Sequence, residues 1–205
     1  MALNQLLWPQ YRFYAKEEDV IYSVEHARET YVVAGNKLGK DFTAGNICVN
    51  VFLRALKLGL TCKIINTSVK QEHLAILWGE IARFITEARY PLLAHKGGPL
   101  VLMHMEVRRA SEAESKNPRS YLKGMVSEAV EGMSGHHADV TLFVGDEASG
   151  LEDKYYIAAQ GWAKRILLFG NPNPCENQFK RGYQAGPLGV GELIVPDHTI
   201  IMGAA

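Results

Sequence analysis

Tyr31-Val32-Val33-Ala34-Gly35-Asn36-Lys37-Leu38-Gly39-Lys40-Asp41 is an apolar run, a loop with two glycines, and a Gly-Lys pair placed to open a helix. A strand that feeds a helix through such a loop builds a phosphate cradle. Backbone N–H groups of the loop and of the helix N-terminus point at the anion, and the lysine reaches the terminal phosphates. Two positions depart from the strict P-loop pattern: Ala34 stands where the pattern has Gly, and Asp41 where it has Ser or Thr.

A second stretch lies about a hundred residues on. Val140-Thr141-Leu142-Phe143-Val144-Gly145-Asp146-Glu147 is a continuous apolar run ending in two adjacent acids. Strands buried on both faces of a parallel sheet read this way, and ligands bind beyond their carboxyl ends. One acid of the pair, Asp146, suits Mg²⁺; the next, Glu147, suits orienting or deprotonating an attacking water. The alternative is a pair of solvated acids in a turn before Ala148-Ser149-Gly150. A third stretch, Arg165-Ile166-Leu167-Leu168-Phe169-Gly170-Asn171-Pro172, is another apolar strand with a polar exit. Its Asn171 carries an amide that both donates and accepts, as a γ-phosphate sensor needs. An ordinary Gly-Asn-Pro turn is the alternative. Taken together, the three stretches specify an ATP site of the strand-inserted P-loop class.

Composition sets bounds. A chain of 205 residues, 47% of them hydrophobic, can bury one sizeable core. No apolar run reaches the roughly 20 residues of a membrane helix, and Met1-Ala2-Leu3-Asn4 lacks the basic start of a secretory leader. No membrane contact is expected. Cys48, Cys62 and Cys175 are scattered without Cys-x-x-Cys spacing, which points to reduced thiols, an intracellular setting and no zinc site. Cys48 and Cys62 read as core fillers. The formal net charge is zero, so the basic excess of a dedicated nucleic-acid-binding domain is missing. Any such contact is expected to be local, transient or shared among subunits.

Helices and strands alternate along the chain. Residues 5–30 read as a helical lead-in carrying Trp8, Tyr11, Phe13 and Tyr14. Thr30–Ala34 reads as a strand, Lys40 to about Leu58 as a helix ended by Gly59, and Cys62–Asn66 as a short strand. Ser68 is placed to cap a helix over Val69–Arg89, where Leu74, Leu77, Trp78, Ile81 and Ile85 recur at helical spacing. Tyr90–Pro99 reads as a loop, Leu100–Val107 as a strand, and Arg108–Met133 as a polar, partly mobile segment with a short helix near Ser127–Met133. A helix near Asp153–Trp162 and a strand at Ile166–Phe169 follow. The remainder, rich in Gly and Pro, reads as loops with a strand at Leu193–Val195. The pattern predicts an α/β P-loop NTPase of the RecA/ASCE kind, with a mainly parallel sheet flanked by helices. Its expected organisation is a lead-in over 1–29, an ATPase core over 30–180 and a tail over 181–205.

Four stretches carry a family resemblance: Gly35–Phe42, Thr67–Ile81, Val144–Gly150 with its Asp-Glu-Ala-Ser-Gly run, and Leu168–Pro172. Over roughly residues 8–180 the chain resembles the ATPase domain of the large terminase subunit of tailed bacteriophages, the motor that packages DNA into procapsids. The resemblance implies ATP and Mg²⁺ as cofactors. Gly35, Asn36, Lys37, Leu38, Gly39, Lys40, Asp41 and Phe42 would form the nucleotide-binding loop, and Gln10 would read the adenine edge. Lys40 would bind phosphate, Glu147 would be the catalytic acid, and Asn171 with Gly170 would couple hydrolysis to movement. Asp146 would hold the metal. Asp41 is a second candidate ligand, since a carboxylate there can meet Mg²⁺ directly; the alternative is that it faces solvent and caps the helix.

The implied activity is ATP hydrolysis that drives translocation of double-stranded viral DNA, in the cytoplasm of a bacterial host. The implied partners are the DNA itself, held transiently, a portal protein, a small terminase subunit and further copies of the chain in a ring. The altered P-loop supports an alternative, a nucleotide-binding module with little hydrolysis that acts in assembly. The family also uses an arginine from a neighbouring subunit, for which Arg119 is the candidate, with Arg108 and Arg109 upstream of it. Large subunits of the family continue into a nuclease domain that has no counterpart in this sequence, so no nuclease activity is expected of it.

Overall fold

The computed structural model describes residues 2–35, 37–126, 132, 134–184 and 199–202. The strands are β1 (Glu29–Ala34), β2 (Cys62–Ser68), β3 (Leu100–Met103), β4 (Glu106–Arg109), β5 (Tyr121–Val126), β6 (Val140–Asp146), β7 (Arg165–Gly170) and β8 (Thr199–Met202). The helices are α1 (Ala2–Leu7), α2 (Ala15–His26), α3 (Lys40–Lys57), α4 (Gln71–Thr86), α5 (Asp153–Gln160) and α6 (Gln178–Gln184). One sheet holds these strands of the described residues in the order β3-β4-β5-β2-β6-β7-β1-β8. From β5 to β8 in that order the pairings are parallel; β3 and β4 add an antiparallel hairpin at the far edge.

The apolar runs become central strands because both their faces are covered. Val32, Ile64, Leu142, Val144, Leu167 and Phe169 join the core under α2, α3 and α4. Tyr31, Val33, Ile65, Phe143, Ile166 and Leu168, which alternate with them, join a second core under α5 and α6. α4 buries Leu74, Leu77, Trp78, Ile81, Phe84 and Ile85, the stripe its periodicity predicts. Trp8 is fully buried on the end of this helix: its indole N–H donates to the Phe84 carbonyl at 2.7 Å and its ring meets Phe84 edge-on. Burying a side chain of that size contributes about 1.5–3 kcal/mol, so this contact pins the lead-in to the body.

Several local expectations are corrected. Ser68 does not cap α4: it is the last residue of β2, and Lys70 holds the N-cap position. The lead-in is two helices, α1 and α2, separated by a non-helical segment over residues 8–14. Leu100–Val107 is a hairpin that turns at His104-Met105, with Met105 at φ 48° in place of the usual Gly or Asn. The segment after Arg108 is not structureless: Ala110–Glu112 is a 3-10 turn, and Tyr121–Val126 is a strand between β2 and β4. α6 lies where loops were expected. The helix near Ser127–Met133 and the strand at Leu193–Val195 fall outside the described residues; β8, farther on, pairs with β1. Cys48 and Cys62 are fully buried, and burial pushes both thiols up to about 12.

Candidate functional site

β7 lies between β1 and β6. The loop after β1, the acids after β6 and the exit of β7 therefore open at one edge of the sheet, side by side. The loop turns through Lys37 at φ 64° and Gly39 at φ 77°, and α3 starts at Lys40. Gly170, the last residue of β7, packs so closely on the acid-pair loop that a Cβ there would lie 2.9 Å from the Ala148 amide nitrogen. That approach seats Asn171 beside Glu147.

The Lys40 ammonium joins the three elements. Lys40 Nζ donates to Glu147 Oε1 at 2.6 Å and to Asn171 Oδ1 at 3.4 Å. The Lys40 side chain is 8% exposed and that of Glu147 22%, so the pair is largely withdrawn from water. Glu147 sits at φ 47°, a left-handed conformation that costs a non-glycine residue on the order of 1 kcal/mol. Its N–H donates to Asp146 Oδ1 at 2.7 Å, and its carbonyl accepts the Gly150 N–H at 2.9 Å. The strained turn lifts the Glu147 carboxylate away from the strand and toward Lys40.

Asp146 is 1% exposed. Burial, then the charges of Asp41 and Glu147, push its carboxyl up from the ordinary 3.8 to about 7. Asp41 is half-buried, and burial raises its carboxyl against the pull of Lys40, with Glu147 and Glu80 adding to the rise. Among the described residues no group of three or more His, Cys, Asp and Glu is arranged to hold a metal. The carboxylates of Asp146 and Asp41 are the kind of hard oxygen donor that Mg²⁺ takes beside phosphates, so their chemistry fits that ion.

The structure thus brings Lys40, Asp41, Asp146, Glu147 and Asn171 together with Gly35, Leu38 and Gly39. Asn36 lies outside the described residues. Lys37 is exposed on the loop, and Phe42 turns into an aromatic cluster with Tyr11, Phe13 and Phe84. Gln10 donates to the Glu87 carbonyl at 3.1 Å, a contact with the end of α4 and not with the loop. Arg108 is tied to Glu106 at 2.6 Å and to the carbonyls of Ala113 and Ser115. Arg119 is exposed just before β5, at the end of the sheet opposite the Gly35–Lys40 loop. His136 is held by the Tyr121 hydroxyl and the Gly132 carbonyl, a packing role.

Several residues at the site carry no motif signal. Tyr14 donates its hydroxyl to the Leu38 carbonyl at 2.6 Å. Glu17, 4% exposed, accepts from the Tyr14 N–H at 3.1 Å and from the Thr43 hydroxyl at 3.2 Å. Together they fasten α2 to the loop and to α3. Asn177 donates to the carbonyls of Ala148, Ser149 and Leu151 at 2.9, 3.2 and 2.8 Å, clamping the loop after the acid pair. A capping-box spacing, Tyr14 with Glu17 three residues on, was the one readable hint. A cavity of about 1090 Å³ lies elsewhere, between α1, α2 and the second half of α3, and reaches none of these groups.

No protein-family model and no curated protein sequence matches the chain. Solved structures match it. The large terminase ATPase domain of Thermus phage P74-26 superposes with a TM-score of 0.66 at 16% identity, over 98% of this chain and 84% of that one. An arginine-to-alanine mutant of that domain gives 0.67 at 15% identity over the same shares. The fold is that of a phage large terminase ATPase domain. The large terminase of HK97 bacteriophage gives 0.51 at 13% identity, over 81% of this chain and 35% of that one. The terminase-type sheet is the mainly parallel, helix-flanked P-loop fold that the three sequence stretches predict. At such identities the likeness concerns the fold, and the roles of individual residues rest on the geometry above.

Proposed function

We propose that the chain is the ATPase module of a motor that packages double-stranded viral DNA. The observation that carries the reading is the Lys40 ammonium, bonded at 2.6 Å to Glu147 and at 3.4 Å to Asn171 from three separate elements. A phosphate loop, a water-orienting acid and a phosphate-sensing amide meet on one cation. The terminase-type fold supports the same reading.

Bound ATP would lay its phosphates along the loop from Gly35 to Lys40, with loop N–H groups and the α3 N-terminus as donors. The γ-phosphoryl would replace Glu147 as the partner of Lys40. The freed Glu147 carboxylate then orients a water in line with the γ-phosphorus and takes its proton. The new P–O bond forms as the bridging bond to ADP breaks, and phosphate leaves. Asn171 changes partner from Lys40 to the phosphate and so reports the nucleotide state to β7. Mg²⁺, when bound, would neutralise phosphate charge, and Asp146 and Asp41 would hold it. Hydrolysis would be tied to DNA movement in a ring of copies, with a portal protein and a small terminase subunit as partners, in the bacterial cytoplasm. Arg119 is a candidate to act on a neighbouring copy's nucleotide.

The departure at Asp41 favours a second reading, a module that binds nucleotide and hydrolyses little. Single-turnover hydrolysis at high protein concentration separates the two. With the motor reading, Mg-ATP is converted in a single-exponential phase that Glu147→Gln abolishes while nucleotide binding stays. Wild-type protein that binds Mg-ATP and converts none would leave the binding module as the function.

A further inference from the structure

β2 ends in three consecutive polar residues, Asn66, Thr67 and Ser68, each 0% exposed. The Asn66 Oδ1, Thr67 Oγ1 and Ser68 Oγ atoms have no hydrogen-bond partner among the described residues. An unpaired buried hydroxyl is costly, and such groups are few in folded proteins. Three in a row at the carboxyl end of a parallel strand, where ligands bind, call for a ligand.

The alternation of the strand says which of them faces the site. Ile64 joins the core under α3, and Ile65 joins the core on the other side of the sheet. Asn66 shares the face of Ile64, since its amide donates to Cys48 Sγ of α3 at 3.3 Å. Ser68 shares that face one step farther along, level with Asp146 on the neighbouring strand, its direct partner in register. Asp146 follows Leu142 and Val144, which belong to the same core. Ser68 and Asp146 thus point the same way, toward the start of α3, where Asp41 stands in place of the hydroxyl residue of a strict P-loop. Thr67 points to the opposite face.

Resting on the ATPase reading, we infer that the Ser68 hydroxyl is a positioning group for the hydrated Mg²⁺ of the nucleotide site, accepting a hydrogen bond from a water on the metal. Mg²⁺ sheds its waters reluctantly and is usually held through them. Partners in that outer layer orient the ion and tune its affinity. The hydroxyl missing from position 41 is supplied from β2, across the strand from Asp146.

The test compares Ser68→Ala with Thr67→Val, which deletes an equally buried, equally unpaired hydroxyl on the other face. Electron paramagnetic resonance of free Mn²⁺ gives the metal affinity of the protein–ADP complex, and urea unfolding in EDTA gives metal-free stability. Ser68→Ala should weaken Mn²⁺ binding about tenfold and leave metal-free stability unchanged or raised. Thr67→Val should bind Mn²⁺ as wild type does. Ser68→Cys, which keeps the volume and replaces the hard oxygen, should reproduce the loss and serves if the alanine variant does not fold. Mn²⁺ affinity within twofold of wild type in Ser68→Ala, together with lower stability in EDTA, would assign the hydroxyl to a structural water and overturn the proposal. An equal loss in Thr67→Val would overturn it too. Wild-type protein that binds no nucleotide would remove the ATPase reading itself, an outcome distinct from both.

Discussion

Replacing Gly39 by alanine is expected to destabilise the protein by about 2.5–5 kcal/mol. Two features of the position set that figure. Gly39 holds φ at 77°, where an L-residue costs about 1–2 kcal/mol. An alanine Cβ would also lie 2.5 Å from Glu17 Oε1. A glutamate on the surface would swing aside. Glu17 is 4% exposed, and its two oxygens accept from the Tyr14 N–H at 3.1 Å and the Thr43 hydroxyl at 3.2 Å. Moving it forfeits at least one hydrogen bond to a charged group, about 1.5–3 kcal/mol. Urea unfolding at fixed pH measures the sum. In a Glu17→Ala background the obstacle is gone, and Gly39→Ala should cost only the backbone share, about 1–2 kcal/mol. The remainder is a coupling energy of the size found between residues in contact. Equal costs in the two backgrounds would refute the contact argument. A cost below about 1 kcal/mol in the native background would refute the left-handed geometry as well.

Lys40→Ala should lower ATP affinity at least tenfold by calorimetry, since a charge-assisted contact contributes about 1.5–3 kcal/mol; unchanged affinity would remove Lys40 from the site. Asp41→Thr should improve metal-free ATP binding and shrink the ratio of affinities with and without Mg²⁺, because the wild-type carboxylate repels phosphates unless a cation sits between them; an unchanged ratio would mean that Asp41 takes no part. The Asp146 carboxyl is raised from 3.8 to about 7 on folding, so between those values the folded state binds the extra proton and stability falls as pH rises. In EDTA, Asp146→Asn should therefore gain on wild type as pH goes from 4 to 8, by on the order of 4 kcal/mol for three pK units; parallel stability curves for the two proteins would show that Asp146 is not desolvated.

The parts of the fold that were legible are those where one physical cause acts alone. β1, β6 and β7 are buried on both faces and read as unbroken apolar runs. α4 has one wet face, so its apolar stripe repeats at helical spacing. β5 was illegible because Tyr121-Leu122-Lys123-Gly124-Met125-Val126 mixes a charge and a glycine into the strand; its place between β2 and β4, with Leu122 fully buried, comes from tertiary pairing and not from propensity. The hairpin at His104-Met105 lacks the Gly or Asn that normally marks such a turn. Glu17 reads as one more surface acid at the start of a helix, and only the approach of Gly39 ties it to the loop after β1.

The site itself divides the same way. Residue types and their order along the chain name Lys40, Asp146, Glu147 and Asn171, because catalysis needs those groups at the carboxyl ends of strands. Sequence order cannot say that β7 lies between β1 and β6, and the site's electrostatics follow from that placement. With β7 inserted, Asn171 comes up beside the acid, and the Lys40 ammonium meets both, at 3.4 and 2.6 Å. The lysine that would bind phosphate is then already paired, in a place where only 8% of its side chain and 22% of that of Glu147 meet water. Removing one member of a buried pair costs about 3–5 kcal/mol unless a new partner arrives. On the proposed reading, phosphate would be such a partner for Lys40 and the attacking water one for Glu147. Nucleotide entry and activation of Glu147 would then be one exchange of partners. That coupling is a property of the strand order, and it is written in no single motif.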